Sequence, residues 1–316
     1  MLNRLCFAAL FCLFLLNGCG NSSNSEKTQQ LGPDNLFAAD ISEHYALISN
    51  MSGPAELWRL KPKSLLHSWK HLDGTNGIIK TAISGNEEFA ITAERDSLVW
   101  WRISDGKLLK VWSFPEISAV SLSGDGHFAL IGLPDKAIYF SLKKGITLYA
   151  FRHEGSVLAT DISKSGQYAL TGSTDKTAKL WDLATGELKY TWTHYNQLSS
   201  VAISPDDSYA FTNAALGQTL LWKLSNGKIY KSLKPDRQTV ATAKFSGNGR
   251  QLITGLTSGR IDLWNIKTGQ RIKFWRAKKD EKRRPTVASV LGLAFIENHK
   301  KIYSIASNGY LQRWKN

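Results

Sequence analysis

Short apolar runs alternate with polar turns along almost the whole chain, and the alternation is periodic. The clearest copy runs from Thr171 to Leu183: an apolar strand, a turn at Ser173, Thr174 and Asp175, and a returning strand that carries Leu180 and Trp181. A Thr185-Gly186 turn follows, then a further run from Glu187 to His194 that contains Trp192. The aromatic position of Trp181 recurs at Trp58, Trp101, Phe140, Trp222, Trp264 and Trp314, a spacing of about 40 residues. A second aromatic row lies eleven residues after the first, at Trp69, Trp112, Phe151, Trp192 and Trp275, and is broken only at Leu233. Ahead of each copy comes an apolar run that ends at a serine: Ser42, Ser84, Ser123, Ser163, Ser204 and Ser246, with Ile296 in the seventh copy. Runs of this length bounded by Gly, Asp and Asn turns read as strands. Apolar residues at adjacent positions, as in Ala178 to Leu183, fit sheets covered on both faces.

Four short strands per unit at this period predict an all-β chain, a seven-bladed β-propeller of four-stranded antiparallel blades spanning 26–316. The chain stops at Asn316 on the third strand of the seventh unit. Glu26 to Leu31 is therefore expected to lend the missing strand and close the ring, which removes two open sheet edges.

The first residues follow other rules. Met1 to Arg4 is a short basic start, Leu5 to Leu16 is apolar throughout, and Leu16-Asn17-Gly18-Cys19 ends the run. Twelve helical residues rise only about 18 Å, too little for a bilayer core of about 30 Å. The segment 1–18 is expected to be an export signal. Leu16 to Cys19 resembles the bacterial lipobox, and that resemblance implies lipidation of Cys19, followed by a flexible polar tether to Ser25. Cys6 and Cys12 fall inside the signal, so the mature chain would keep one cysteine and no disulfide or thiolate metal site. Losing Arg4 with the signal lowers the net charge of +14 by only one. A basic exported domain favours an acidic protein or an acidic envelope polymer over nucleic acid. Gly20, after the lipidated cysteine, offers no acidic retention signal, so an outer membrane is expected over an inner one.

Leu57-Trp58, Leu180-Trp181-Asp182, Leu221-Trp222 and Leu263-Trp264, with His153 and His194 ahead of their inner strands, resemble the WD-repeat (WD40) propeller family. The resemblance implies a buried hydrogen-bonded group in each blade, made of a His, a Ser or Thr, an Asp and the Trp. The fourth repeat has His153, Thr171 or Ser173, Asp175 and Trp181, and the second has His71, Thr92, Asp96 and Trp101. The fifth has Gly217 in place of the Asp, and the third has Phe114 and Phe140 in place of His and Trp. A quinoprotein-type repeat would put Trp four residues after the Gly of its Thr-Gly turn, whereas Trp192 and Trp275 follow Gly186 and Gly269 by six.

The resemblance also implies a non-enzymatic scaffold that docks partners on the loops joining each outer strand to the next inner strand. The longest of these loops carries Arg276, Lys278, Lys279, Lys282, Arg283 and Arg284. Tyr195, Leu216, Arg237, Arg95 and the stretch Asp73 to Asn76 belong to the same face. Neither cofactor nor metal is expected: the histidines fall one per blade, far apart on the ring. Ser141 and Lys144 fit a Ser-x-x-Lys pattern too short to carry a nucleophile reading. The protein is expected to be a monomer with a protein partner. The alternatives are binding of lipopolysaccharide or peptidoglycan through the basic loop, and a hydrolase or quinoprotein-like oxidoreductase working in the axial channel.

Overall fold

Successive strand residues point to opposite faces. Because both faces of the central strands are apolar here, each sheet has to be covered twice. A ring of sheets meets that demand. In this computed structural model, which describes residues 24–32, 35–50, 52–71, 77–236, 238–279 and 288–316, the chain forms seven four-stranded antiparallel sheets and, among those residues, no helix. Blade 4 is typical, with strands Val157–Ile162, Tyr168–Ser173, Thr177–Asp182 and Leu188–Thr193 in sequence order from the axis outward. Blades 1, 2, 3, 5 and 6 repeat that order over 36–69, 80–113, 119–152, 198–233 and 240–276. Blade 7 takes three strands from 290–315 and its outermost from Lys27–Gln30, which pairs antiparallel with Tyr310–Lys315. Glu26 N and Leu31 N extend the ladder by donating to Arg313 O and Gly309 O. The fourth strand therefore comes from the stretch expected to supply it.

The two aromatic rows occupy fixed registers. Trp101, Trp181 and Trp222 stand opposite Ala90, Ala169 and Ala210, and Trp69 and Trp192 stand opposite Ala55 and Ala178. A small residue under each large one lets the ring lie flat across the sheet. The second-row ring of one blade then meets the first-row ring of the next: Trp69 on Trp101 at 4.9 Å, Phe151 on Trp181 at 4.6 Å and Trp192 on Trp222 at 4.8 Å, all stacked. Trp112 meets Phe140 edge-on at 5.2 Å. Seven buried apolar clusters result, each drawn from two neighbouring blades. The core is thus a series of joints around an open axis.

The serines close the inner hairpins. Ser123, Ser163, Ser204 and Ser246 accept from the backbone N–H groups of Phe128, Tyr168, Tyr209 and Gln251 at 2.9–3.0 Å. Most also donate to an Asp or Asn two residues on, as Ser204 does to Asp206 at 2.6 Å. The seventh hairpin lacks the serine, and there Glu297, Asn298 and His299 all take positive φ. At the outer turns the Gly of each Thr-Gly pair is required: Gly186 has φ +77°, and a Cβ there would lie 2.4 Å from the Tyr149 ring.

Candidate functional site

The buried group of blade 4 lies beneath the face formed by outer-to-inner loops and by turns between second and third strands. Trp181 Nε1 donates to Thr171 Oγ1 at 2.9 Å, and Thr171 Oγ1 lies 2.7 Å from His153 Nε2. His153 Nδ1 lies 2.8 Å from Asp175 Oδ2. A neutral ring satisfies every partner, with Nδ1–H donating to the carboxylate and the threonine hydroxyl donating to Nε2. Burial pushes the His153 pKa down against the pull of Asp175, which favours that neutral form. Burial raises the Asp175 carboxyl, but bonds from Thr177, His153 and the backbone outweigh it and hold its pKa at about 2. Ser173 stands outside the chain of bonds and supports it: its hydroxyl donates to Gly155 O and accepts from Asp175 N.

Blade 2 corrects one assignment. His71 Nε2 and Trp101 Nε1 both meet Thr92 Oγ1 at 2.8 Å, but His71 Nδ1 meets Ser97 Oγ at 2.8 Å, with Glu94 at 3.7 Å. Asp96 takes no part, and its carboxylate accepts from Glu116 N at 3.3 Å. The reason is register: Thr92 precedes its Trp by nine residues and Thr171 by ten, so the turn is one residue shorter and Arg95 falls where Asp175 does.

The Trp-to-hydroxyl bond is more general than the His-to-Asp bond. Trp222, Trp264 and Trp314 donate to Thr212, Thr254 and Ser304 at 2.8–2.9 Å. Sequence reasoning missed these three, although a Ser or Thr ten residues before the Trp marks each. Blade 3 drops both halves together: the Phe140 ring has no N–H, Ile131 replaces the hydroxyl, and Phe114 packs edge-on against Phe140 at 5.2 Å. In blade 5, His194 lies edge-on to Trp222 at 5.9 Å, and neither ring nitrogen has a hydrogen-bond partner of good geometry among the described residues. Burial takes its pKa down to about 4, with Gln218 acting weakly in the opposite direction.

Blade 6 uses charge where blades 2, 4 and 5 have a histidine. Arg260 grips the fully buried Asp262 through Nε at 3.1 Å and Nη2 at 2.9 Å, and reaches Asp236 at 2.6 Å. Arg271 joins Asp236 at 3.0 Å and lies 3.7 Å from Asp262 Oδ1. Burial still raises the Asp262 pKa to about 6 against both arginines. An Arg and an Asp two apart on a third strand were the available signal.

Among the expected docking residues, Tyr195 and Leu216 fall on two loops that are bonded to each other. They are 87% and 74% exposed, the highest values of any large apolar side chain described. Ala215 N donates to Gln197 O at 2.9 Å, and Tyr195 N donates to Gln218 Oε1 at 3.0 Å. The other expected residues separate. Arg95 is already paired with Glu116 at 2.7 Å. Lys278 is anchored to blade 7: its N–H donates to Gln312 Oε1 at 2.7 Å, its carbonyl accepts from Asn308, and its ammonium lies 4.5 Å from the Tyr310 ring. Arg276 and Lys279 are exposed. Lys282, Arg283, Arg284, Arg237, Asp73 to Asn76 and Cys19 lie outside the described residues.

The axis holds a cavity of about 430 Å3 that runs between the inner strands of all seven blades. Asp40 bridges blades 1 and 2, accepting from Ile41 N at 3.0 Å and Ile83 N at 2.9 Å. Asp161 bridges blades 4 and 5, accepting from Ile203 N at 2.7 Å. Lys244 of blade 6 crosses the opening to within 3.6 Å of Asp40 Oδ1. Its pKa is raised, first by Asp40 and then by Asp161, while burial lifts Asp161 to about 6. The signal for these residues was a charge at a position that is Ala or Ser in the other inner strands.

Residues 145–182, which include the complete buried group of blade 4, match the family model for the WD domain, G-beta repeat. That stretch is similar to a WD repeat. The chain is also similar to a WD repeat-containing protein 91 homolog of Dictyostelium discoideum, 26% identical over 87 residues. The match covers 28% of this chain and 10% of that relative, so the chain spans only a small part of its length. The seven-bladed ring and this match together support a WD-repeat propeller. Among the described residues, no helix is long and apolar enough to cross a membrane.

Proposed function

We propose that the protein is a lipid-anchored WD-repeat propeller of a bacterial cell envelope, a non-enzymatic scaffold that docks a protein partner on the face bearing Tyr195 and Leu216. One observation carries this reading. The two most exposed large apolar side chains described stand on different loops that are tied together by bonds from Ala215 N to Gln197 O and from Tyr195 N to Gln218 Oε1, on the face where propellers of this type dock partners. An exposed Tyr on a rigid support is the form of an interface anchor. The tether adds a direction. Lys27 pairs with Arg313 and Gln30 with Tyr310, so the chain enters its first strand at the opposite face. An anchor at Cys19 would turn that opposite face toward the membrane and leave Tyr195 and Leu216 pointing away from it.

Photo-crosslinking in cells tests the reading, with the probe at Tyr195 and a control at Lys164 in an inner hairpin turn of the opposite face. Discrete protein adducts at Tyr195 alone are expected; none, or the same adducts at both, would overturn the docking face. For the anchor, Cys19→Ser is expected to release the protein from membranes, and continued partitioning would sink that part. A second reading has support from Arg276 and Lys279, exposed at the entry to the basic loop: binding of an acidic envelope polymer. That binding would weaken steeply between low and moderate salt.

A further inference from the structure

All seven outer strands carry Lys or Arg, and none carries Asp or Glu. Lysine on an edge strand guards it against pairing with another chain, but that role gives no reason to avoid glutamate or to expose aliphatic residues. Aliphatic residues are exposed here. Leu65, Ile146, Leu188, Ile229 and Ile272 are 45–57% exposed, and each is among the first three residues of its outer strand. Outer strands begin at the turns opposite the docking face, so these side chains mark the rim of the face at which the chain enters its first strand. Blades 4 and 5 concentrate the pattern. A groove of about 510 Å3 between them is lined by Tyr168, Lys189, Tyr209 and Lys223. Lys189 lies over the Tyr168 ring at 5.1 Å, and Lys223 and Lys231 lie over the Tyr230 ring at 5.3 Å, with Tyr209 stacked on Tyr230 at 4.8 Å. No ion pair joins any of these three lysines to a carboxylate among the described residues. The acids nearby are Glu187, which is exposed, and three that accept from neighbouring groups: Asp182 from Ala184 N, Asp206 from Ser204 and Asp207 from Ser165.

We infer that the rim of blades 4 and 5 docks on a membrane surface of anionic phosphate headgroups, with Leu188 and Ile229 entering the interface and Lys189, Lys223, Lys228 and Lys231 facing the phosphates. The inference extends the anchored reading and takes from it only the face that the membrane approaches. Lysine stems laid over tyrosine rings, with their ammonium groups left to the solvent, suit a boundary that is apolar on one side and charged on the other. An acidic polymer would meet the lysines but give Leu188 and Ile229 nothing to bury against. A fluid lipid surface meets both, and it needs no shape matched to a curved rim.

The test uses the whole chain with an environment-sensitive fluorescent residue in place of Ile229, and a second protein with that residue in place of Leu216 on the docking face. Vesicles contain phosphatidylglycerol or only phosphatidylcholine, with a nitroxide-bearing lipid as quencher. With phosphatidylglycerol the emission at 229 is expected to move to shorter wavelength and to be quenched, while the probe at 216 stays in water. Phosphatidylcholine alone, or about 0.5 M salt, should remove most of the change at 229. Lys189→Gln and Lys228→Gln should each weaken docking about fivefold, the scale of one cation near an anionic surface. Lys189→Arg should retain it, and Lys136→Gln on the docking face should change nothing. Thermal unfolding of each variant separates loss of docking from loss of fold. Sedimentation with vesicles reports the anchor separately. A chain that sediments with both kinds of vesicle but keeps 229 in water overturns the inference and leaves the anchor standing. A chain that sediments only with phosphatidylglycerol and shows the change at 229 supports the inference without the anchor. Equal changes at 229 and 216, or full docking in folded Lys189→Gln and Lys228→Gln variants, would overturn it. Binding of soluble polyphosphate by a chain whose 229 probe stays in water on phosphatidylglycerol vesicles would also overturn it, and would assign the rim to an acidic polymer.

Discussion

The joint between blades 3 and 4 and the seam between blades 7 and 1 occupy equivalent places in the ring and are built differently. At the first, Phe151 stacks on Trp181 at 4.6 Å, and the indole N–H reaches Thr171, which is linked on to His153 and Asp175. At the seam, Trp58 keeps its register opposite Ala46, but the residue two past Ala46 is Ile48, with no hydroxyl to receive the indole. Its Nε1 bonds Glu56 at 3.0 Å, and the ring is only half-buried, under the Lys63 ammonium at 5.2 Å. The second-row position that should stack on it is Gln29, opposite Leu311 on the borrowed strand. An aromatic position is therefore worth only what its neighbouring blade provides. The seam is also where the two ends of the described chain meet, held at the rim by Glu26 with Lys301 and Arg313.

The largest expected contrast comes from deleting the rings. Trp181→Ala should cost about 3–5 kcal/mol in urea unfolding, the range for a fully packed aromatic, and Trp58→Ala about 1–2 kcal/mol, since much of that ring is already in water. Equal losses would break the comparison. Next, Thr171→Val keeps the shape but leaves the Trp181 N–H and the neutral His153 Nε2 without a partner, and should cost about 1–3 kcal/mol. Ile48→Thr should recover little at the seam unless Trp58 leaves Glu56.

The joint between blades 4 and 5 adds a pH term. His194 has a folded pKa of about 4 against an unfolded value near 6.5. The stability it contributes is present above pH 6.5 and is lost as pH falls toward about 4. His194→Phe keeps an aromatic ring against Trp222 and removes the proton, so its urea midpoint should fall less than the wild-type midpoint between about pH 7 and pH 4.5. Parallel lines for the two proteins would contradict the assignment. A gain is expected at the seam from Gln29→Phe, which restores the absent stacking partner of Trp58 and should add about 0.5–1.5 kcal/mol. Smallest of all, Arg95→Ala removes a solvent-exposed pair with Glu116 and should stay within about 0.5 kcal/mol.

Much of the fold was legible because it is local. The period, the two aromatic rows, the serine at six of the seven inner hairpins and the Gly at most outer turns are set by residues within one repeat, and each recurs along the chain. The buried group of blade 4 was legible for the same reason. Asp96 was misassigned because one residue fewer in a turn shifts register, and only the backbone path shows which side chain then points inward. Tyr195 and Leu216 could be put on one face from loop order, but the bonds that tie their two loops together could not be read from it.

By itself the sequence determined seven sheets, their strand order and that their central strands are apolar on both faces, since these follow from the pattern and periodicity along a single strand. The tertiary structure decided who meets across the ring. Lys244 reaching Asp40 from a blade two places away, Arg260 and Arg271 converging on Asp262, and Gln29 falling where Trp58 needed an aromatic ring are all set by residues on different strands or blades. No spacing rule carries such contacts, because ring closure brings together positions whose separation along the chain bears no relation to their separation in space.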